Sequence, residues 1–182
     1  LKGGHSGVEI NQARANAFVL LGRFLSAAMR RDIAYGLCDM RNGSVPGKDN
    51  GIPGHAEAVI SMDTDAAFAA LERLAQEMTP VFRNEFRVTD PGVSIRVEKT
   101  NAVGFSPMTP ERASRLFAAM ALMPVGAPRF IQDGDFIIKP YGELLVETSN
   151  NMGNVRTDKD DAQLSDMARG SVASGRDDVE DK

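Results

Sequence analysis

Chemistry has few places to reside in this chain. Its 182 residues include two histidines, His5 and His55, and one cysteine, Cys38. No C-x-x-C, H-E-x-x-H or other ligand cluster at short spacing accompanies them, so the sequence predicts no self-contained zinc site. The stretch "GGHSG" around His5 lacks the Lys-Ser/Thr partner of a phosphate loop and the spacing of a dinucleotide fingerprint. By spacing alone, His5 also fits a surface histidine in a flexible turn. Asn50 in "DNGIPGHAEA" precedes Gly51, the pattern of a turn residue that favours positive φ. Arg169 reads as a solvated strand residue, Asn151 as a bulge or strand end beside Gly153, and His55 as a loop residue before a strand.

The elements that must carry these residues follow from periodicity. "NQARANAFVLLGRFLSAAMRRD" places Ala17, Leu21, Phe24, Leu25 and Ala28 at helical spacing, with arginines on the other face and in the last turn. "IAYGLCDMRNG" reads as a short strand entering a turn, and "AEAVISMD" as a second strand. Asp63 or Thr64 can cap the next helix, which carries Phe68, Leu71, Leu74, Ala75 and Met78. Pro80 is expected to kink or end it. "GVSIRVEKT" alternates Val93, Ile95 and Val97 with Ser94, Arg96 and Glu98, the clearest strand pattern in the chain.

Residues 1–105 are therefore expected to form a ferredoxin-like βαββαβ unit, an antiparallel sheet with helices packed on one face. Residues 106–182 are expected to form a second, incomplete α/β unit within the same domain. It opens with a helix in "TPERASRLFAAMALM", capped by Thr109 with Pro110 in the first turn. Two strands then flank the polar turn "DKDD", and "GRDDVEDK" resembles the acidic first turn of a helix that does not follow. The fold class is α+β.

Composition excludes several functions. A formal net charge of -4 argues against a phosphate-neutralising surface, so no nucleic acid is expected as partner. Apolar runs such as "FVLLGRFLSAAM" are broken by arginine and fall short of the roughly 20 residues that cross a bilayer, so no membrane is expected either. A lone cysteine cannot form an internal disulfide, which fits a reducing compartment, and the cytoplasm is the expected location. The chain starts without methionine or a signal-type segment and ends in "SGRDDVEDK"; both ends read as cut.

The joint order of "LKGGHSGVEI", "NGIPGHAEA", "VETSNNMGNV" and "MARGS" resembles the lid domain of the aminoacyl-histidine dipeptidases. These Xaa-His or carnosine-type enzymes belong to the di-zinc co-catalytic metallopeptidases. The resemblance runs from Leu1 to about Gly175. It implies a fragment of a zinc dipeptidase, with two zinc ions held in a separate catalytic domain and none in this chain. The isolated chain would hydrolyse nothing.

The resemblance also assigns roles. His5 is the lid histidine that reaches over the metals to the oxygen of the tetrahedral intermediate, where flanking glycines let the main chain come close. Asn50 would help hold the dipeptide substrate. Arg169 would pair with its terminal carboxylate, for which a planar two-pronged donor gives both charge and geometry. Gly170 follows Arg169 where the family more usually carries serine. A homodimer through this domain is implied as well. The competing expectation is a stand-alone ferredoxin-like domain that binds a ligand or partner without catalysis.

Overall fold

The computed structural model describes residues 1–42, 50–100, 104–131 and 145–182. Its first helix, α1 (Ala17–Arg30), forms where the apolar spacing predicts, and Asn16 starts it by accepting the amide hydrogens of Phe18 and Val19 on its side-chain oxygen. Phe18, Phe24, Leu25 and Ala28 are buried along one side. Ahead of α1 lies a two-residue strand, β1 (Gly4–His5); β2 (Gly36–Arg41), β3 (Gly51–Ile52) and β4 (Glu57–Ser61) follow it. The pairs are β1 with β3 and β2 with β4, both antiparallel.

Helix α2 (Asp65–Glu85) is capped by Thr64, whose hydroxyl accepts from the Ala67 amide at 3.1 Å. Contrary to expectation, Pro80 neither ends nor interrupts it. Pro80 sits on the exposed face, where water can satisfy the carbonyl it leaves unpaired. Beyond it, Phe82 is fully buried beneath the Arg23 guanidinium, 4.7 Å from the ring centroid, and Arg23 makes a two-pronged pair with Glu85 at 2.7 and 2.8 Å. These contacts with α1 hold the last turn in place.

The expected strand over Val93–Val97 joins no ladder among the described residues. Its alternation is as read, with Val93 buried, Ile95 and Val97 packed against the core and Ser94, Arg96 and Glu98 exposed. Two side chains of α2 hold its main chain: Arg83 Nε donates to Val93 O at 2.7 Å, and the Ile95 amide donates to Thr79 Oγ1 at 3.4 Å. A cavity of about 720 Å³ separates it from β4, with Leu20, Phe24, Leu71 and Phe82 among its lining residues. The antiparallel strands of the first half therefore form two separate pairs and no closed four-stranded sheet.

Helix α3 (Pro110–Leu122) has Thr109 as cap and Pro110 in its first turn, as read. The Pro- and Gly-bearing stretch after it contains a strand, β5 (Gly126–Phe130), which pairs with β6 (Val146–Thr157); β6 pairs in turn with β7 (Ala162–Gly170). Asp158 organises the turn between β6 and β7, its Oδ1 accepting the amides of Asp160 and Asp161 at 2.7 and 2.8 Å. The final residues do form a helix, α4 (Ala173–Glu180). Burial of Val179, close packing of Gly175 on Thr148 and an ion pair between Arg129 and Asp178 anchor it, and such tertiary contacts leave no periodic trace in so short a segment.

One apolar core joins the halves: Phe18 and Leu25 of α1, Leu71 and Leu74 of α2, Phe117 and Met120 of α3, and Met152 and Val155 of β6. Strand β6 is covered on both faces, so four consecutive polar residues, Thr148 to Asn151, are buried with it. No helix among the described residues is long and apolar enough to cross a membrane.

Candidate functional site

His5 is held through its main chain in a short ladder and a folded-back loop. Gly3 turns the chain into β1 at a φ of +66°, and a Cβ there would meet Ile52 O at 3.0 Å. Glycine is therefore required for both conformation and clearance. In the short ladder Gly4 stands opposite Ile52 and His5 opposite Gly51. The next amide, Ser6, donates to Asn50 O at 2.9 Å.

The loop then folds back on itself. The His5 amide donates to Glu9 Oε2 at 2.8 Å, and the Glu9 amide returns a bond to His5 O at 2.9 Å. Arg14 pairs with Glu9 at 2.7 Å and donates to Gly3 O. The hydrogen bond from the His5 amide, aided by Arg14, holds the Glu9 carboxyl below its usual range. A lowered carboxyl contributes its stabilisation above the ordinary glutamate value and loses it only as pH falls through the lowered one. The hook on His5 stays assembled through the neutral range.

Ring orientation follows from one further bond. The Gly7 amide donates to His5 Nδ1 at 3.0 Å. An Nδ1 that accepts is unprotonated, so in the neutral ring Nε2 carries the hydrogen and is the donor. Nitrogen-15 NMR of the ring is expected to show this Nε2–H tautomer. Gly7→Ala would place a Cβ 3.0 Å from His5 Cε1 and 3.2 Å from Nδ1. That variant is expected to disturb the ring resonances while changing stability by no more than about 0.5 kcal/mol, since the position is exposed.

Strands β6 and β7 bring the distant partners. Asn151, buried on β6, donates from Nδ2 to Gly51 O at 2.8 Å and so fixes β3 against the sheet. Arg169 lies on β7 opposite Ser149. Its Cζ is 3.6 Å from the point where a Gly7 Cβ would stand, and its Nη2 is 2.9 Å from Met167 Sδ. Imidazole and guanidinium thus border the same glycine, and both are exposed.

Of the three residues singled out in the sequence, His5 and Arg169 both border Gly7 with their side chains. Asn50 joins them through its carbonyl. Sequence reasoning missed Glu9, Arg14 and the supporting role of Asn151; the His-x-x-x-Glu spacing in "HSGVE" was the one local signal for the first. His55 stands apart in its loop, with Nε2 3.1 Å from Glu57 Oε1, and Cys38 is buried. Among the described residues no three His, Cys, Asp or Glu side chains gather as metal ligands. The arrangement offers a hydrogen-bond donor and a guanidinium to a polar molecule arriving from outside the chain.

Residues 1–90 match the family described as the peptidase dimerisation domain of the M20 type. The chain is similar to the cytosol non-specific dipeptidase of Escherichia coli (strain K12), with 27% identity over 177 residues, covering 97% of this chain and 34% of that protein. It also matches the crystal structure of the aminoacylhistidine dipeptidase from Vibrio alginolyticus with a TM-score of 0.84 and 27% identity, over 100% of this chain and 34% of that one. The chain spans about a third of the length of either relative.

Proposed function

From the match of residues 1–90 to the M20-type peptidase dimerisation domain, we propose that the whole chain works as the lid of a dipeptidase that cleaves Xaa-His dipeptides. Residues 1–105 and 106–182 act in this reading as one body. The observation that carries it is that His5 and Arg169, from the two ends of the sequence, both border Gly7. A peptide bond under attack develops negative charge on its carbonyl oxygen, and a dipeptide always ends in a carboxylate. Nε2–H of His5 serves the first, as a preorganised donor. Arg169 serves the second with two parallel N–H groups.

Asn50, whose carbonyl accepts the Ser6 amide next to His5, helps retain the substrate in this reading. In this reading the zinc ions that such hydrolysis uses are held in a separate catalytic domain, and this chain by itself hydrolyses nothing. The dimer forms through this domain, in keeping with the family it matches, and the enzyme is cytosolic like the E. coli relative.

The test is a comparison of Xaa-His dipeptides with their C-terminal amides in the complete dipeptidase. Arg169→Ala is expected to raise KM for the free dipeptide by on the order of ten- to a hundredfold, since hydrogen bonds to charged groups are worth about 1.5–3 kcal/mol. The amides, which lack the carboxylate, should be poor substrates of both forms and indifferent to the change. Equal losses on both substrates would remove Arg169 from carboxylate recognition, and no preference for a C-terminal histidine across a dipeptide panel would remove the Xaa-His assignment.

A further inference from the structure

We propose that Asp90 is a positioning residue for His5, a role that rests on the oxyanion reading given above. Asp90 is only 2% exposed and lies just past the end of α2. Its Oδ1 accepts the Lys2 amide at 2.6 Å and its Oδ2 accepts the Ala15 amide at 2.9 Å. Those two amides are the feet of the segment that carries His5, Gly7, Glu9 and Arg14. One carboxylate therefore sets the distance between the place where that segment begins and the place where it hands over to α1.

The anchor itself is fixed. The Asp90 amide donates to Phe86 O at 2.8 Å, the Val93 amide donates to Asp90 O at 3.2 Å, and neighbouring Thr89 Oγ1 donates to Ala13 O at 3.3 Å. The loop after α2 thus grips the histidine segment at its feet, while Glu9 and Arg14 brace it from within. His5 is left with a rigid base and an exposed tip.

Stability alone explains this choice of residue poorly. Asp90 accepts the amide of Ala15, a member of an apolar cluster with Leu20, Phe82 and Val93. Burying a carboxylate there is costly unless both oxygens are satisfied. What a carboxylate supplies, and an apolar side chain does not, is two acceptors at fixed separation. Asparagine retains one of them and turns an N–H toward the other amide.

The experiment is a double-mutant cycle in the complete dipeptidase, with turnover, KM and thermal midpoint measured for Asp90→Asn, His5→Ala and the double variant. Small misplacements of a reacting group cost heavily, about a hundredfold for 1 Å. Asp90→Asn is accordingly expected to lower kcat by about tenfold with KM little changed. In the His5→Ala background the same substitution should add no further loss. A loss that persists undiminished without His5 would show Asp90 acting on the fold at large and overturn the proposal, as would an unchanged kcat in the single variant.

If His5→Ala itself leaves kcat intact, the oxyanion reading fails, and that result is distinct from a failure of Asp90. Should Asp90→Asn not accumulate as folded protein, Lys2→Pro removes one of the two amide donors and leaves the carboxylate and its bond to Ala15. It is expected to follow the same pattern, and an additive loss there overturns the proposal equally.

Discussion

Replacing His5 with alanine in the complete dipeptidase is expected to lower turnover by two to three orders of magnitude, with KM and metal content unchanged. The size follows from what oxyanion donors contribute when they are aimed in advance, about 10²–10³ in turnover. In the proposed role the aim would come from the Gly7 amide, which occupies Nδ1 and leaves Nε2–H as the donor. It would come also from Glu9, which holds the His5 amide without touching the ring.

Because the ring is exposed, the variant should keep its thermal midpoint, which separates lost chemistry from lost structure. His5→Gln restores a donor on a longer, unanchored side chain and should recover only part of the rate. A His5→Ala enzyme as fast as the parent would reduce "GGHSG" to a turn.

The largest effect on stability is expected at Asn16. Its buried side chain works in two directions at once. Oδ1 caps α1 by accepting from Phe18 and Val19 at 3.0 and 3.4 Å, and Nδ2 donates to Met152 O at 2.8 Å, across 136 residues of sequence. Alanine loses the cap, about 0.5–2 kcal/mol. It also deprives a buried carbonyl of its donor, about 1–3 kcal/mol.

Together these predict a loss of about 2–4 kcal/mol, or a fall in melting temperature of roughly 5–15 °C for a chain of this size. Asn16→Asp tests the second part by itself. It keeps the capping oxygen but turns another oxygen toward the Met152 carbonyl, so it too should destabilise. A melt in which Asn16→Asp matches the parent would confine Asn16 to capping.

How much of this was legible in advance depended on how local the cause was. Thr64 and Thr109 were readable as caps because an oxygen three residues before a free amide is a matter of sequence spacing. Strands β6 and β7 were readable from alternation and the Asp-rich turn between them. Strands β1 and β3 are too short to carry a period; they exist because Gly3 and Gly54 let two main chains pass closely, with the Cβ of either one landing within about 3 Å of the other's backbone. The course of α2 past Pro80 depended on Arg23, in a different helix.

The site divides in the same way. His5 and Arg169 drew attention through the order of short motifs, whose resemblance is what suggests a substrate-facing role for them. Glu9 is four residues from His5, yet its role needed the fold-back of the loop to appear. Asp90 and Asn151 were silent, because each acts through a main-chain amide or carbonyl 75 to 100 residues away, and such bonds leave no pattern in composition or period.

The extended segment after Asp90 shows where this architecture first gives way. It places Val93, Ile95 and Val97 against the core, yet no backbone ladder secures it. Its hold rests on Arg83 and Thr79, and at its far end on Lys99, which pairs with Asp65 at 2.6 Å and lies over the Phe68 ring. Exposed ion pairs of that kind are worth little. Segments with few main-chain bonds open at a small fraction of the global unfolding free energy. Local opening here would uncover Phe82 and Leu20 while α1, α3 and β6 stay assembled, so the seam beside α2 is where exchange with solvent and proteolytic entry should begin.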